Sequence, residues 1–270
     1  MNSPTKPRVS RPRKWIVTTC RGRVAHLRES LPTWLERLPT WDPIVVCCDD
    51  PIAAEYAAGE LVLARRGIVV QAIQGQYFNK IEALRVGVGI AACDFYPEGQ
   101  VLGEEWLALL EDDGDAGDAM VALLDADTIA TSRTEPRLNS LGPSDVGMCG
   151  WGTRDDMGIL VASVRALWGG LRQIPKGMFE GYGPEDASLR VAVWTQVKKP
   201  FVPLLSTNWV RKAHTDRERT RFYAESMRSA VPANKAAQGE LMARILAPDE
   251  VARCKADCLY WPKRIGEYVG

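Results

Sequence analysis

The sequence predicts an α/β fold, a mainly parallel central sheet flanked by helices in a single domain, on three observations. Short apolar runs alternate with helix-like segments through the first ninety or so residues, which is the pattern of strands laid parallel with helical crossovers. Residues 120–128, MVALLDADT, then give an apolar run with the length of a buried strand, ending in two aspartates one residue apart. In open α/β sheets ligands gather at the carboxyl ends of the strands, so this stretch organises the rest. Finally, no linker-like break divides the 270 residues. A chain of that length buries about three quarters of its unfolded surface without staples.

Composition narrows the class. With 46% hydrophobic and 25% charged residues the chain is an ordinary globular protein, and 34 basic against 34 acidic residues leave no bulk charge that selects a partner. Seven cysteines, an odd count without a Cys-x-x-Cys pair, suggest neither a disulfide framework nor a zinc knuckle, and fit reduced thiols in a cytosol. No apolar run approaches the length of a membrane span. Residues 1–14 are polar and hold Lys6, Arg8, Arg11, Arg13 and Lys14 among three prolines. They read as a disordered basic tail, not a secretory signal, so a cytoplasmic protein is expected.

In chain order, Ile16 and Val17 run as a strand into Thr18, Thr19 and Cys20, followed by the loop Arg21-Gly22-Arg23. Backbone donors and two guanidinium groups suit a diphosphate, while a solvated turn is the plainer reading. Residues 27–38 place Leu31, Trp34, Leu35 and Leu38 on one helical side, a core face. A second buried strand at 43–48 ends in Asp49 and Asp50. A carboxylate there suits a nucleoside N–H or ribose hydroxyl, and equally a cap for a helix over 53–65. Residues 67–70 form a third strand, 74–78 a loop, and 81–92 a helix opened by Asn79 and Lys80. Residues 104–118 are acid-rich and glycine-punctuated; they lack calcium-loop spacing and read as a solvated excursion. Residues 129–143 read as a turn-rich loop, 146–151 and 158–161 as strands, 187–195 as a helix and 200–205 as a short strand. Trp151 suits a sugar platform or core packing. Residues 216–228 form a charged helix capped by Asp216, and the last forty or so residues are amphipathic.

Three stretches carry chemistry. Asp125 and Asp127 offer hard oxygens to Mg²⁺ or Mn²⁺, which in turn can hold a diphosphate; the alternative is a strand end with solvated acids. Residues 180–194, EGYGPEDASLRVAVW, bring small flexible residues and then Glu185 and Asp186 to a helix start, where the macrodipole favours acids and lowers a carboxylate's pKa. His214, in WVRKAH, is one of only two histidines.

The order Asp-x-Asp, Gly-x-Gly-x-Glu-Asp, His resembles the GT-A-fold nucleotide-sugar glycosyltransferases, especially the galactosyltransferase and polypeptide N-acetylgalactosaminyltransferase groups. The resemblance runs over most of the chain. Residues 15–35 look like that family's first strand, nucleotide loop and first helix, and 44–50 like its second strand; Asn79-Lys80 opens a helix similar to its "NKA-ALN-G" helix. It implies a Rossmann-like sheet with a nucleotide-binding half over 15–128, an acceptor half over 129–230 and a C-terminal helical extension over 231–270. It further implies a donor site at Thr18, Thr19, Arg21, Arg23, Asp49, Asp50, Asn79, Lys80 and Asp125, a metal held by Asp125, Asp127 and His214, and catalysis by Asp186 with Glu185. The donor would be a UDP-sugar and the metal Mn²⁺ rather than Mg²⁺, since imidazole suits the softer ion. The region after His214 closes over the donor in that family. Gly-Tyr-Gly-Pro-Glu-Asp replaces the family's usual Gly-Trp-Gly-Gly-Glu-Asp, so acceptor preference does not carry over. Eukaryotic relatives carry a membrane anchor; without one, a bacterial or viral cytoplasmic enzyme is expected.

Other classes fit less well. A sugar-phosphate nucleotidyltransferase would need a glycine-rich phosphate loop, and residues 20–23 hold a single glycine. A glycoside hydrolase needs two carboxylates but neither metal nor nucleotide loop, and a non-catalytic sugar- or nucleic-acid-binding protein would have no use for the metal acids. Among acceptors a glycan or protein is preferred, with a hydroxylated base in phage-type DNA next. The basic tail with Arg211, Lys212, Arg217, Arg219 and Arg221 would suit a phosphate backbone, and a solvated helix face explains that second cluster equally. The Glu-Asp pair suggests inversion, while SLRVAVW is equally like retaining relatives.

Overall fold

The computed structural model describes residues 14–74, 78–92, 101–102, 118–149, 159–179, 184–211 and 227–258. In chain order these form β1 (Lys14–Cys20), α1 (Val24–Arg37), β2 (Asp42–Cys48), α2 (Pro51–Ala64), β3 (Ile68–Ala72), α3 (Lys80–Ala92), β4 (Val101–Leu102), β5 (Met120–Leu123), β6 (Thr128–Ala130), α4 (Thr134–Asn139), β7 (Gly147–Cys149), β8 (Leu160–Ser163), α5 (Val164–Gln173), α6 (Glu185–Val197), β9 (Val202–Leu204), β10 (Trp209–Arg211), α7 (Met227–Ile245) and α8 (Glu250–Asp257). Among the described residues eight strands make one sheet in the order β4-β3-β2-β1-β5-β8-β7-β9, in which β8 alone runs against its neighbours. The Rossmann-like, mainly parallel sheet flanked by helices that the sequence predicts is what the chain forms.

Residue choice explains the layers. The β2 and β3 interiors are continuous apolar runs, as strands covered on both faces must be. Alternate residues then serve two cores. Trp15, Val17, Ile44, Val46, Ile68 and Val70 pack with α3, α5, α6, α7 and α8. Ile16, Val45, Val69, Met120 and Ala122 pack with α1, α2 and α4 on the other face. The C-terminal helices are part of this packing: Leu241, Met242, Leu246, Cys254 and Cys258 are buried in the first core, and Gln238 donates to Ser188 Oγ on α6 at 3.1 Å.

Several helices have identifiable terminators. Asp50 caps α2 by accepting from Ala53 N at 3.0 Å, ahead of Pro51 at the first helical position. At the far end of α1, the Arg66 guanidinium gathers the carbonyls of Trp34, Leu35, Leu38 and Trp41, satisfying acceptors that a helix C-terminus leaves over.

The stretch 129–143 departs from the expected loop. It holds β6 and α4, and β6 pairs antiparallel with β10, Arg211 opposite Thr128. The strand is too short to leave a pattern, and its partner is some eighty residues away. The expected helix over 216–228 lies outside the described residues except at Met227 and Arg228, which begin α7, and the excursion at 104–118 does so except at Asp118.

Helix α3 comes close to the sheet at Gly87, where an added Cβ would come within 2.4 Å of Val17 Cγ1 in β1. Gly87→Ala should therefore destabilise the protein by about 1–3 kcal/mol through overpacking. Urea unfolding of the two proteins measures it, and equal midpoints would mean that α3 can shift outward at no cost.

Candidate functional site

The carboxyl edge of the parallel strands carries two clusters of polar side chains. The first lies where β1, β2 and β3 end. Asp49 follows β2 with a left-handed backbone (φ 47), a conformation Asp tolerates better than most residues, and its Oδ2 accepts from Gln74 N at 3.0 Å and faces Arg21 Nη1 at 3.5 Å. Asp50 spends one oxygen on the α2 cap and the other on Gly22 N. The pair thus ties the loops after β1, β2 and β3 together. For Asp50 the structure takes the capping alternative. Arg23 leads into α1, its carbonyl accepting from His26 N and Leu27 N.

The second cluster forms where β5 meets the starts of α3 and α6. Leu124 N still bonds Val17 O, after which Asp125 to Thr128 make a turn closed by Thr128 N to Asp125 O at 2.9 Å. Lys80, the first residue of α3, sets its Nζ 2.7 Å from Asp125 Oδ1 and 2.8 Å from Asp186 Oδ1. Glu185 and Asp186 open α6. A pocket at this point is lined by Thr19, Lys80, Asp125, Asp186 and Arg190 over an apolar floor of Leu84, Leu123, Leu124, Leu160 and Leu189. Lys80 therefore joins the Asp-Ala-Asp stretch to the Glu-Asp pair, although the sequence reading assigned it only to the donor.

Gln74 links the two clusters. Its backbone is held by Asp49, and its side-chain amide bonds Asn79 in both directions, Nε2 to Asn79 O at 2.8 Å and Asn79 N to Oε1 at 2.9 Å. Asn79, expected to touch the donor, is buried and caps α3 through Glu82 N at 3.1 Å, while its Nδ2 donates to Met178 O at 3.0 Å. Its visible work is to aim Lys80.

Helix α1 braces the turn from below. Ser30 Oγ donates to Ala126 O at 2.6 Å, Trp34 Nε1 to Thr128 O at 2.8 Å and Arg37 Nη1 to Ala130 O at 2.7 Å, and Thr33 Oγ1 accepts from Ala130 N at 3.1 Å. Positions 30, 33, 34 and 37 share one side of a helix, so a single face satisfies the backbone around the aspartates. Sequence reasoning saw only the apolar members of this face. A polar residue repeated at that spacing beside a core stripe was the available signal.

Of the expected site residues, the structure brings Thr19, Lys80, Asp125 and Asp186 to one pocket, with Asp127 buried at the same turn. Arg21, Asp49 and Asp50 form the neighbouring cluster. Thr18 is wholly buried in β1, its hydroxyl without a hydrogen-bond partner among the described residues. His214 and Trp151 lie outside the described residues, as do Glu180 to Gly183.

Glu185 departs from the expected behaviour of an acid at a helix start. It is 8% exposed, its Oε2 has no hydrogen-bond partner among the described residues, and burial, with Asp186 alongside, pushes its carboxyl up to about 8 despite Lys80. Desolvation outweighs the helix dipole here because the side chain is inside the protein. The same burial disfavours a charged Lys80, but Asp125, Asp186 and Glu185 more than offset it and hold the ammonium charged.

No protein-family model and no curated protein matches the sequence. Among solved structures the chain is similar to the mannosyltransferase PcManGT from Pyrobaculum calidifontis, in complex with GDP-Man and Mn²⁺, at 13% identity over 96% of this chain and 85% of that one, with a TM-score of 0.46. It is similar to TarS 1–349 of S. aureus in complex with UDP at 8% identity, over 94% of this chain and 78% of that one, with a TM-score of 0.45. A glucose-1-phosphate thymidylyltransferase from Bacillus anthracis, described there as putative and in complex with a sucrose, matches at 7% identity over 83% of this chain and 95% of that one, also at 0.45. Likenesses this slight assign neither a fold nor an activity to this chain.

The raised carboxyl gives a pH prediction. Because Glu185 binds its proton more tightly folded than unfolded, its contribution to stability is complete below the ordinary carboxylate range and is lost as pH rises through about 8. Asp186, Lys80 and Asp125 are the charged groups acting on it. Thermal stability should thus fall between pH 5 and pH 9 more steeply in the wild type than in Glu185→Gln; parallel melting curves across that range would remove Glu185 as the cause.

Proposed function

We propose that this protein is a GT-A-type glycosyltransferase that moves a sugar from a nucleotide-sugar, UDP-linked, to a hydroxyl of a glycan or protein acceptor, with a divalent metal. The observation that supports this reading best is the Lys80 bridge: it holds an acid from a strand-end Asp-x-Asp and an acid from a helix-start Glu-Asp within one pocket at the ligand-binding edge of a parallel sheet. A site that must bring an activated sugar to an acceptor needs that convergence.

The donor set suits Mn²⁺ or Mg²⁺. Asp125 and Asp127 bring carboxylates, hard ligands for such ions, from a single tight turn. His214 is the third ligand in this reading. Among the described residues no group of three His, Cys, Asp or Glu side chains could hold a metal, so the rest of the shell would come from His214 and from phosphate oxygens. Bound there, the ion would offset negative charge on the departing nucleotide.

The chain's own residues have separable tasks. Arg21, beside Asp49, stands in the first cluster with a guanidinium suited to phosphate oxygens. Asp186, 40% exposed at its side chain, borders the pocket and accepts the acceptor's proton as that oxygen forms its bond to the anomeric carbon and the bond to the diphosphate breaks. Glu185, buried beside it at the start of α6, positions the acceptor or the sugar in this reading. The apolar leucine floor excludes water from the reacting carbon.

Two measurements test the reading. Asp186→Asn should keep UDP-sugar affinity and lose acceptor transfer by about 10²–10⁴, assayed with a panel of glycans, peptides and hydroxymethylated DNA. If Glu185→Gln is the dead variant instead, the two roles are exchanged. Asp127→Ala should abolish Mn²⁺-stimulated UDP binding in calorimetry with little change in melting temperature; UDP-sugar turnover that continues unaltered in EDTA would rule out the metal.

A further inference from the structure

Lys80 is a cation already seated among the acids of this site. Its Nζ touches one oxygen of Asp125 and one of Asp186, contributed by segments sixty residues apart, and Glu185 adds a third acid to the field around it. The side chain is only 14% exposed, so water screens these pairs poorly. It is held from both ends: the backbone at Asn79 is fixed by Gln74 and by the α3 cap, and the ammonium is fixed by the two carboxylates. Asp125 thus has a counter-ion before any ligand arrives.

That arrangement bears on how a divalent ion would enter. An ion taken by Asp125 must displace the ammonium or sit beside it, and a buried like charge a few ångströms away opposes binding. Diphosphate oxygens offer the ammonium another partner, which would release Asp125. We propose that Lys80 is the residue that decides when this site accepts a divalent metal, keeping metal affinity low in the free protein and letting it rise when a nucleotide diphosphate binds. The diphosphate half of this inference rests on the glycosyltransferase reading; the competition between Lys80 and a metal for Asp125 does not. Coupling of this kind is reciprocal, so UDP must raise Mn²⁺ affinity by the same factor by which Mn²⁺ raises UDP affinity.

The test is Mn²⁺ binding to the full-length protein, followed by the electron paramagnetic resonance of free Mn²⁺ with and without UDP. Lys80→Met removes the charge at similar length, and Lys80→Gln does so while keeping hydrogen-bond donors for the two carboxylates in case the first variant does not fold. Without UDP, the folded variants should bind Mn²⁺ at least about tenfold more tightly than wild type, and the enhancement by UDP should shrink correspondingly. Lys80→Arg, which keeps the charge, should stay close to wild type. Adding Asp125→Asn to Lys80→Gln should remove most of the gain. Folded Met and Gln variants that bind Mn²⁺ no more tightly than wild type would overturn the proposal. A wild-type protein that ignores Mn²⁺ even with UDP, beside a Lys80→Gln protein that binds it alone, would keep Lys80's exclusion of metal and sink the nucleotide reading instead.

Discussion

The site depends on one ammonium group held inside the protein between carboxylates from two distant segments. A lysine so enclosed loses hydration, and only the acids around it repay that loss. Lys80 therefore stays where Asp125 and Asp186 both remain, and each of them in turn is held near the other by Lys80. The strand-end turn and the start of α6 belong to different parts of the chain, and Lys80 bridges them.

The supports of that ammonium reach outward in two directions. Toward the cluster of Arg21, Asp49 and Asp50, Gln74 ties Asp49 to Asn79, so hydrogen bonds join the end of β2 to the root of Lys80. Toward α1, the hydrogen bonds of Ser30, Thr33, Trp34 and Arg37 fix the backbone that presents Asp125 and Asp127. Backbone groups buried at a turn need partners, and here a helix supplies them without crossing the edge where a ligand would lie.

Much of this was legible in the sequence, for a physical reason. The strands β1, β2, β3 and β5 are apolar runs because both faces are covered, and α2, α3 and α6 begin at Asp50, Asn79 and Glu185, whose side chains announce a helix start. What escaped reading depends on distant partners. α5 contains Gly169 and Gly170, which look like a break; in the fold Gly170 lets α5 come against α6, where a Cβ would lie 2.9 Å from Val193 N. β6 and β10 are three residues each and exist by pairing with one another. Residue types at the site were visible too, but not their allegiances. That Asp50 would also reach Gly22 N, that Asn79 would aim Lys80 and that Glu185 would be buried and proton-retaining follow from packing, which single-residue chemistry does not contain.

The reversed direction of β8 has a consequence for how such a site can change over time. β7 and β8 are adjacent and antiparallel, with Cys149 N bonded to Ile159 O, so the chain leaves β7 and enters β8 at the same edge that carries Asp125. A connection between hairpin partners has no crossover to complete, and its closure entropy grows only logarithmically, by about 0.6 kcal/mol for each doubling of length. Segments of different length and character can be exchanged there while the eight-strand order stays intact.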